Sequence, residues 1–310
     1  MRISSRGYAD LIKSSLARPS QRIGKLYVQL TSGKRLQSVS DDPLAATRVV
    51  RAHNALTELD SRRFVISDAR RLLGGADGSL GDVAQALRKC YDLALRAMNA
   101  SLSGPERLAL AQEVRHHSAS LVDAGNLAVQ DTYVFSGTKT ETVPFTDGSA
   151  IGLPVAYNGN HQQLVYQTSP SQTVPVGFTG AHVFNYPNAS GTRPVSGADA
   201  DVFSLLQDLA DSIERSDVGR VEVLAPQVQA CHAHAVSLRS QVGVMVQRYD
   251  AALQACDSSE SRLRELLSGD EDLDMTEAIV ALSTEETAYK AVMGMTSRLL
   301  ALPNLFEGPW

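Results

Sequence analysis

Residues 45–97 read AATRVVRAHNALTELDSRRFVISDARRLLGGADGSLGDVAQALRKCYDLALRA, and the spacing of their apolar positions decides the fold. Ala45, Val49, Ala52, Leu56, Leu59, Arg63, Ile66, Arg70, Leu73, Ala76, Leu80, Val83, Leu87, Cys90, Ala94 and Ala97 follow one another at steps of four and three, alternating except for two successive threes at Leu73 and Ala76. That is a heptad seam, the mark of a long helix lying along another helix. Two arginines interrupt it. Arg63 and Arg70 either snorkel, with stems packed and heads in water, or mark a subunit contact with acids of the C-terminal part. Ser40-Asp41-Asp42-Pro43 supplies the start: an N-cap candidate, acids at the positive helix end, and a proline in the first turn, where its missing N–H costs nothing. Gly74, Gly75 and Gly78 are the weak point. Each costs about 1 kcal/mol against Ala in a helix, so they predict a kink or break.

A second seam runs through Val221, Leu224, Val228, Cys231, Ala235, Leu238, Val242, Met245, Tyr249, Ala252, Cys256, Ser259, Leu263 and Leu266. Between the two, Ser103-Gly104-Pro105-Glu106 opens a further helix with Leu110, Val114, His117, Leu121, Ala124 and Ala128 on one side. Both ends of the chain keep the rhythm. Ile12, Leu16, Pro19, Ile23, Leu26 and Leu30 carry it at the N-terminal side, with Pro19 predicting a kink. Met275, Ile279, Leu282, Tyr289, Val292 and Leu299 carry it at the C-terminal side. Isolated helices of this length are marginal in water, so these ends need each other or another subunit. The outer ~35 residues on each side are expected to lack order in a lone subunit.

The fold class that follows is mainly α with a small β insertion: an elongated antiparallel helical bundle, or coiled-coil rod, carrying a β-rich domain. A helix over residues 44–97 would run about 80 Å at 1.5 Å per residue, whereas a compact globule of this chain length is about 50 Å across. The expected division is an N-terminal helix over 1–40 that pairs with 272–310, a helical rod over 41–132 and 201–271, and the β-rich insertion over 133–200.

Charge follows the same division. The formal net charge of the 310-residue chain is -5. Residues 1–132 carry +6, residues 133–200 carry -1 and residues 201–310 carry -10. Opposite signs favour antiparallel association of the two helical parts, weakly, because exposed pairs contribute little. The middle part holds eight of the 17 aromatics and half of the 12 prolines, as a small β domain requires. Its strand candidates are Val155–Tyr157, Leu164–Gln167 and Thr173–Val176. Asn158-Gly159 lies between the first two, in a connection longer than a two-residue hairpin.

Motifs for chemistry are missing. The chain has no G-x-x-x-x-G-K-[ST], H-E-x-x-H, C-x-x-C or G-x-S-x-G. Glu113 and His116 form a single E-x-x-H, where a di-iron bundle needs two with further glutamates; a helical-bundle metalloenzyme is the alternative of another class. Asp270, Asp272 and Asp274 imitate the start of a calcium loop, but Met275 and Ala281 stand where Gly and Glu belong; acids ahead of a helix N-terminus explain them better. His232 and His234 point to different faces of a helix. Cys90, Cys231 and Cys256 fall on seams, as small apolar packing residues do. The expectation is no enzyme, no cofactor and no metal. A basic N-terminal part without interleaved aromatics argues against a nucleic-acid binder. No apolar run reaches the roughly 20 residues needed for a membrane span, so no membrane insertion is expected. No cleavable signal peptide is visible at the N-terminus.

The motifs resemble the flagellin family. Leu30-Thr31-Ser32-Gly33-Lys34-Arg35-Leu36 is similar to the family's L-S-S-G-K-R-I, and Ser40-Asp41-Asp42-Pro43 to its S-D-D-P. Met1-Arg2-Ile3-Ser4 resembles the family start. Tyr133, Phe135, Gly137, Pro144 and Phe145 fit the Y-x-F-x-G-x-x-x-x-x-x-P-F found where a middle domain begins. Tyr157-Asn158-Gly159-Asn160 and Gly180-Ala181-His182-Val183-Phe184 resemble its Y-x-G-[DN] and G-x-x-V-F. The resemblance implies a structural subunit between the flagellar hook and the filament, with the filament subunit itself as the alternative. It implies self-association in a ring, and contacts with the hook protein or the first hook-associated protein and with flagellin. It also implies a type III export chaperone, an extracellular place on the flagellum, and export unfolded without a cleavable signal. The terminal seam residues would form the assembly interface.

Overall fold

The computed structural model describes all residues except 1–4, 99–101, 147–154, 170–171, 188–192 and 302–310. It is mainly helical, with three small antiparallel strand pairs. Two compact units divide the chain. One comprises residues 1–59 and 258–310, the other residues 60–257. Helix α2 (Pro43–Ala97) and helix α6 (Val218–Glu271) contribute to both.

The 60–257 unit holds the core. From Ile66 to Ala97 the α2 seam is buried at every position except Arg70, and from Val221 to Val242 the α6 seam is buried throughout. Helix α3 (Gly104–Gly125) packs against helix α5 (Val202–Glu214). The start of α3 is set by Ser103, whose backbone N–H and hydroxyl both donate to the Glu106 carboxylate at 2.7 Å. Asp201 caps α5 by accepting from the Ser204 amide at 3.0 Å. The sequence reading did not anticipate α5, whose Leu205, Leu206 and Leu209 are fully covered.

Several expectations change. Helix α2 runs without a break through Gly74, Gly75 and Gly78. Gly75 is needed there: a Cβ would come within 2.7 Å of Val129 Cγ2. Gly74 and Gly78 face open space. The α3 seam stops at Gly125, and Ala128 is instead in β1 (Ala128–Val129), which turns through Gln130 and Asp131 at positive φ onto β2 (Thr132–Tyr133). Of the three strand candidates, Ala156–Tyr157 is β4 and pairs with β3 (Phe145–Thr146); it does not join the next candidate in a hairpin. β5 (Val165–Ser169) and β6 (Gln172–Pro175) form their own hairpin.

The seam arginines pair within the chain. Arg70 meets Asp250 at 2.9 Å and Arg63 meets Asp257 at 3.2 Å, one heptad apart on both helices. These pairs are exposed enough to contribute little individually. Cys90, Cys231 and Cys256 are buried free thiols. Burial pushes Cys90 and Cys231 up to about 12, which makes them packing groups, not nucleophiles.

Candidate assembly interface

In the 1–59 and 258–310 unit, helix α1 (Ser5–Ser32) packs along helix α7 (Met275–Ala301). Pro19 lies inside α1 and does not end it. Leu16, Ile23, Leu26 and Leu30 are half-buried on the face toward α7. On α7 the covered stripe is Ala278, Leu282, Glu285, Tyr289 and Val292, with only Ala278 fully buried. The pair runs antiparallel, because the end of α1 meets the start of α7 at the antiparallel Lys34–Asp272 bridge; along it Arg22 meets Glu285 at 3.0 Å, and the Tyr27 hydroxyl donates to Glu286 at 2.9 Å. Met275 and Ile279 are 46% and 55% exposed. They sit outside the α1 contact, because the 278–282–285–289 stepping takes the seam instead. The side chains of Ile12 and Leu299 lie outside the described residues.

This unit closes on very little apolar area. Among its described residues the buried apolar side chains are Ala45, Ala52, Leu267 and Ala278. Three of the four are alanines, which contribute little to burial. Meanwhile Tyr27, Val28, Val39, Leu44, Val50, Val280, Met293 and Met295 join Met275 and Ile279 as exposed large apolar side chains. A surface this apolar over so small a core is the signature of an interaction surface.

The turn between α1 and α2 is fixed by the motif residues. Gly33 takes φ +69° just past the end of α1, and its amide donates to the Gln29 carbonyl at 2.8 Å, the αL ending that glycine favours. The Ser32 hydroxyl donates to Gln29 as well. The turn then clips onto the α6–α7 joint. The Leu273 amide donates to Gly33 at 3.0 Å, and the Arg35 amide donates to Glu271 at 2.7 Å. Lys34 pairs with the Glu271 carboxylate. Arg35 donates to the Asp270 carbonyl at 2.7 Å, and Arg48 grips the Asp270 carboxylate with two bonds at 2.7 and 2.6 Å. Asp41 accepts from the Gln37 and Ser38 amides at 3.1 and 3.0 Å and from Lys25 at 2.7 Å. Lys25 first, and then these amides, hold its carboxyl down to about 2. Asp42 accepts from the Ala45 amide at 3.0 Å and caps α2 ahead of Pro43. Asp274 caps α7 through the Thr276 and Glu277 amides. Of the three aspartates resembling a calcium loop, Asp274 is thus a helix cap, while Asp270 is an ion-pair partner.

The second motif group, Tyr133 to Phe145, builds the base of the insertion. Phe135 is fully covered, and its carbonyl accepts from the Gly180 amide at 2.7 Å and the Tyr157 hydroxyl at 2.9 Å. The Ser136 hydroxyl donates to the Tyr133 carbonyl, and Gly137 takes φ +72° against Asn160. The Pro144 carbonyl accepts from the Asn158 amide at 2.8 Å. Phe145 lies among Phe184, Tyr157 and Phe203, with ring centroids at 4.8, 5.2 and 5.4 Å. Asn126 holds the Phe145 backbone by two bonds of 2.8 Å. Nothing in the sequence reading singled out Asn126, Arg48 or Lys25.

Among the described residues no three His, Cys, Asp or Glu side chains come together as metal ligands. Glu113 and His116 are both exposed. His234 accompanies His182, while His232 lines a separate surface pocket with Arg88 and Tyr91. No described helix is long and apolar enough to cross a membrane.

Residues 3–140 match the bacterial flagellin N-terminal helical region. Over that stretch the chain is similar to flagellins. Flagellar hook-associated protein 3 of Salmonella typhimurium is 26% identical over 202 residues, covering 65% of this chain and 62% of that protein. The chain therefore spans less than two thirds of that relative's length. Among solved structures, one from Vibrio parahaemolyticus named for a flagellar hook-associated protein gives a TM-score of 0.65 at 19% identity, covering 75% of this chain and all of that one. The flagellar junction protein FlgL from Legionella pneumophila gives 0.57 at 17% identity, covering 73% of this chain and 100% of that one. At these identities the two structures establish the mainly helical fold with its small β part.

Proposed function

We propose that the chain is a non-enzymatic subunit of the bacterial flagellum that joins the hook to the filament. The observation that carries this reading is the α1/α7 unit. Its described core amounts to three alanines and one leucine, and its surface carries Tyr27, Met275, Ile279, Val280 and Met293. Such a unit gains its remaining stability from other subunits. In this reading copies of the chain form a ring, with the hook protein or the first hook-associated protein on one side and flagellin on the other. The terminal seams, Ile12 to Leu30 and Met275 to Leu299, are the assembly interface. The chain reaches its extracellular place unfolded, by type III export with a chaperone and without a cleavable signal peptide. Marginal terminal helices and free thiols suit passage of an unfolded chain. The relatives named for flagellar hook-associated protein 3 support the junction role.

Gold-labelled antibody on purified flagella tests this. One band at the boundary of hook and filament is the expected result. Label along the whole filament would assign the chain to the filament instead, and flagella without label would refute both.

A further inference from the structure

Two histidines hold the end of the insertion on α6. His182 lies on the short helix α4 (Gly180–Val183), and its ring stacks on Phe178 at 5.6 Å. The His234 ring, from α6, meets His182 edge-on at 5.2 Å. Nε2 of His234 is 2.9 Å from the His182 carbonyl oxygen, so it is the nitrogen that carries the proton and donates, since a carbonyl only accepts. That bond is available to neutral and charged imidazole alike. A charge on His182 would stand against the His234 ring, whose centroid is 5.2 Å away.

Other charged groups of this unit have partners of their own. Asp201, at the head of α5, acts on Cys231 and Tyr186. Asp199 accepts from Gln227 at 3.2 Å. Arg193 donates to the Asn185 carbonyl at 2.7 Å. Burial, and then the neighbouring His234, hold His182 below the ordinary imidazole value, with no carboxylate offsetting them.

We infer that the His182–His234 pair is an acid-sensitive latch, which holds α4 on α6 while His182 is neutral and releases it when both rings are charged. The sign follows from proton linkage. A group that binds its proton less well in the folded chain contributes fully above its unfolded value of 6.5. That contribution is lost as the pH falls from there toward the lower folded value. The amides that report release are Val183, Phe184 and Tyr186, which donate to Thr179, Gly180 and Ala181 at 3.1, 2.9 and 2.9 Å.

Hydrogen exchange of the full chain at about pH 7.5 and about pH 5, corrected for intrinsic rates, tests the latch. Protection of the three amides is expected to be lost in part in acid, in the direction of the lowered His182 value. His182→Phe keeps a ring against Phe178 without a titrating group, and His234→Gln keeps a donor to the carbonyl without a charge. Each should remove most of the acid loss, and either variant decides alone if the other fails to fold. Protection independent of pH in the unaltered chain, or an undiminished acid loss in a folded variant, would overturn the latch.

Discussion

Replacing Phe145 by alanine removes the ring on which the base of the insertion closes. The ring is 1% exposed and touches Phe184, Tyr157 and Phe203. It fits because two neighbours lack side chains: a Cβ on Gly125 would stand 2.7 Å from Phe145 Cδ2, and a Cβ on Gly180 2.7 Å from its Cζ. An aromatic side chain buries about 150–250 Å², which at about 25 cal/mol per Å² sets an upper bound of about 4–6 kcal/mol. Measured Phe-to-Ala losses of about 3–5 kcal/mol include the cavity, and the two Asn126 bonds to the backbone remain after truncation. We therefore expect Phe145→Ala to cost about 3–5 kcal/mol. Gly180→Ala, which overfills the same slot, should cost about 1–3 kcal/mol. Combining Gly180→Ala with Phe145→Leu should cost less than the sum of the two, because the smaller side chain vacates the space the new methyl needs. Urea unfolding by far-UV circular dichroism measures the totals, and hydrogen exchange of the Asn158 and Gly180 amides shows whether the loss is at the insertion. A Phe145→Ala loss below about 1 kcal/mol would refute the idea that this ring is the keystone.

Three further outcomes follow from the same contacts. Gly74→Ala should stabilise the chain by about 1 kcal/mol, since its Cβ meets nothing, whereas Gly75→Ala should destabilise it through the contact with Val129; thermal unfolding of the two variants separates them. Asp41 has a folded carboxyl lowered to about 2 from an ordinary 3.8. Its contribution is present above 3.8 and lost as the pH falls through 2, so the Gln37 and Ser38 amides should lose exchange protection over that window, and Asp41→Asn should lose it at neutral pH. Cys90 and Cys231 should resist a thiol reagent at mildly alkaline pH in the folded chain and react on unfolding; fast labelling of the folded chain would contradict their place in the core.

How much of this was legible depends on what each pattern records. A heptad seam records burial directly, so the sixteen-position run from Ala45 to Ala97 and the run from Val221 placed two long helices correctly. Where a helix offers two interlocking seams the pattern is ambiguous. On α7 the predicted seam and the stripe facing α1 share Leu282, Tyr289 and Val292, while at its start small Ala278 is buried and the larger Met275 and Ile279 stay exposed. Gly75 looked like a helix breaker because its reason for being glycine, Val129, is distant in sequence. The insertion motif marked Phe135, Gly137 and Phe145, but strands of two residues such as β3 and β4 show no alternation to reveal their pairing. The turn motif was recognised by resemblance and its capping acid by its place before Pro43, whereas the role of Asp41 became visible only when Lys25 and the Gln37 and Ser38 amides came together around it. Asn126 and Asp270 act through partners far along the chain, and no local signal announces them.

The central claim is that this chain completes a boundary between two flagellar structures. Electron microscopy of cells lacking the chain tests it most directly. The account predicts hooks that are intact but bare, with filaments restored by the unaltered chain supplied in trans. Filaments of normal length on those cells would contradict it.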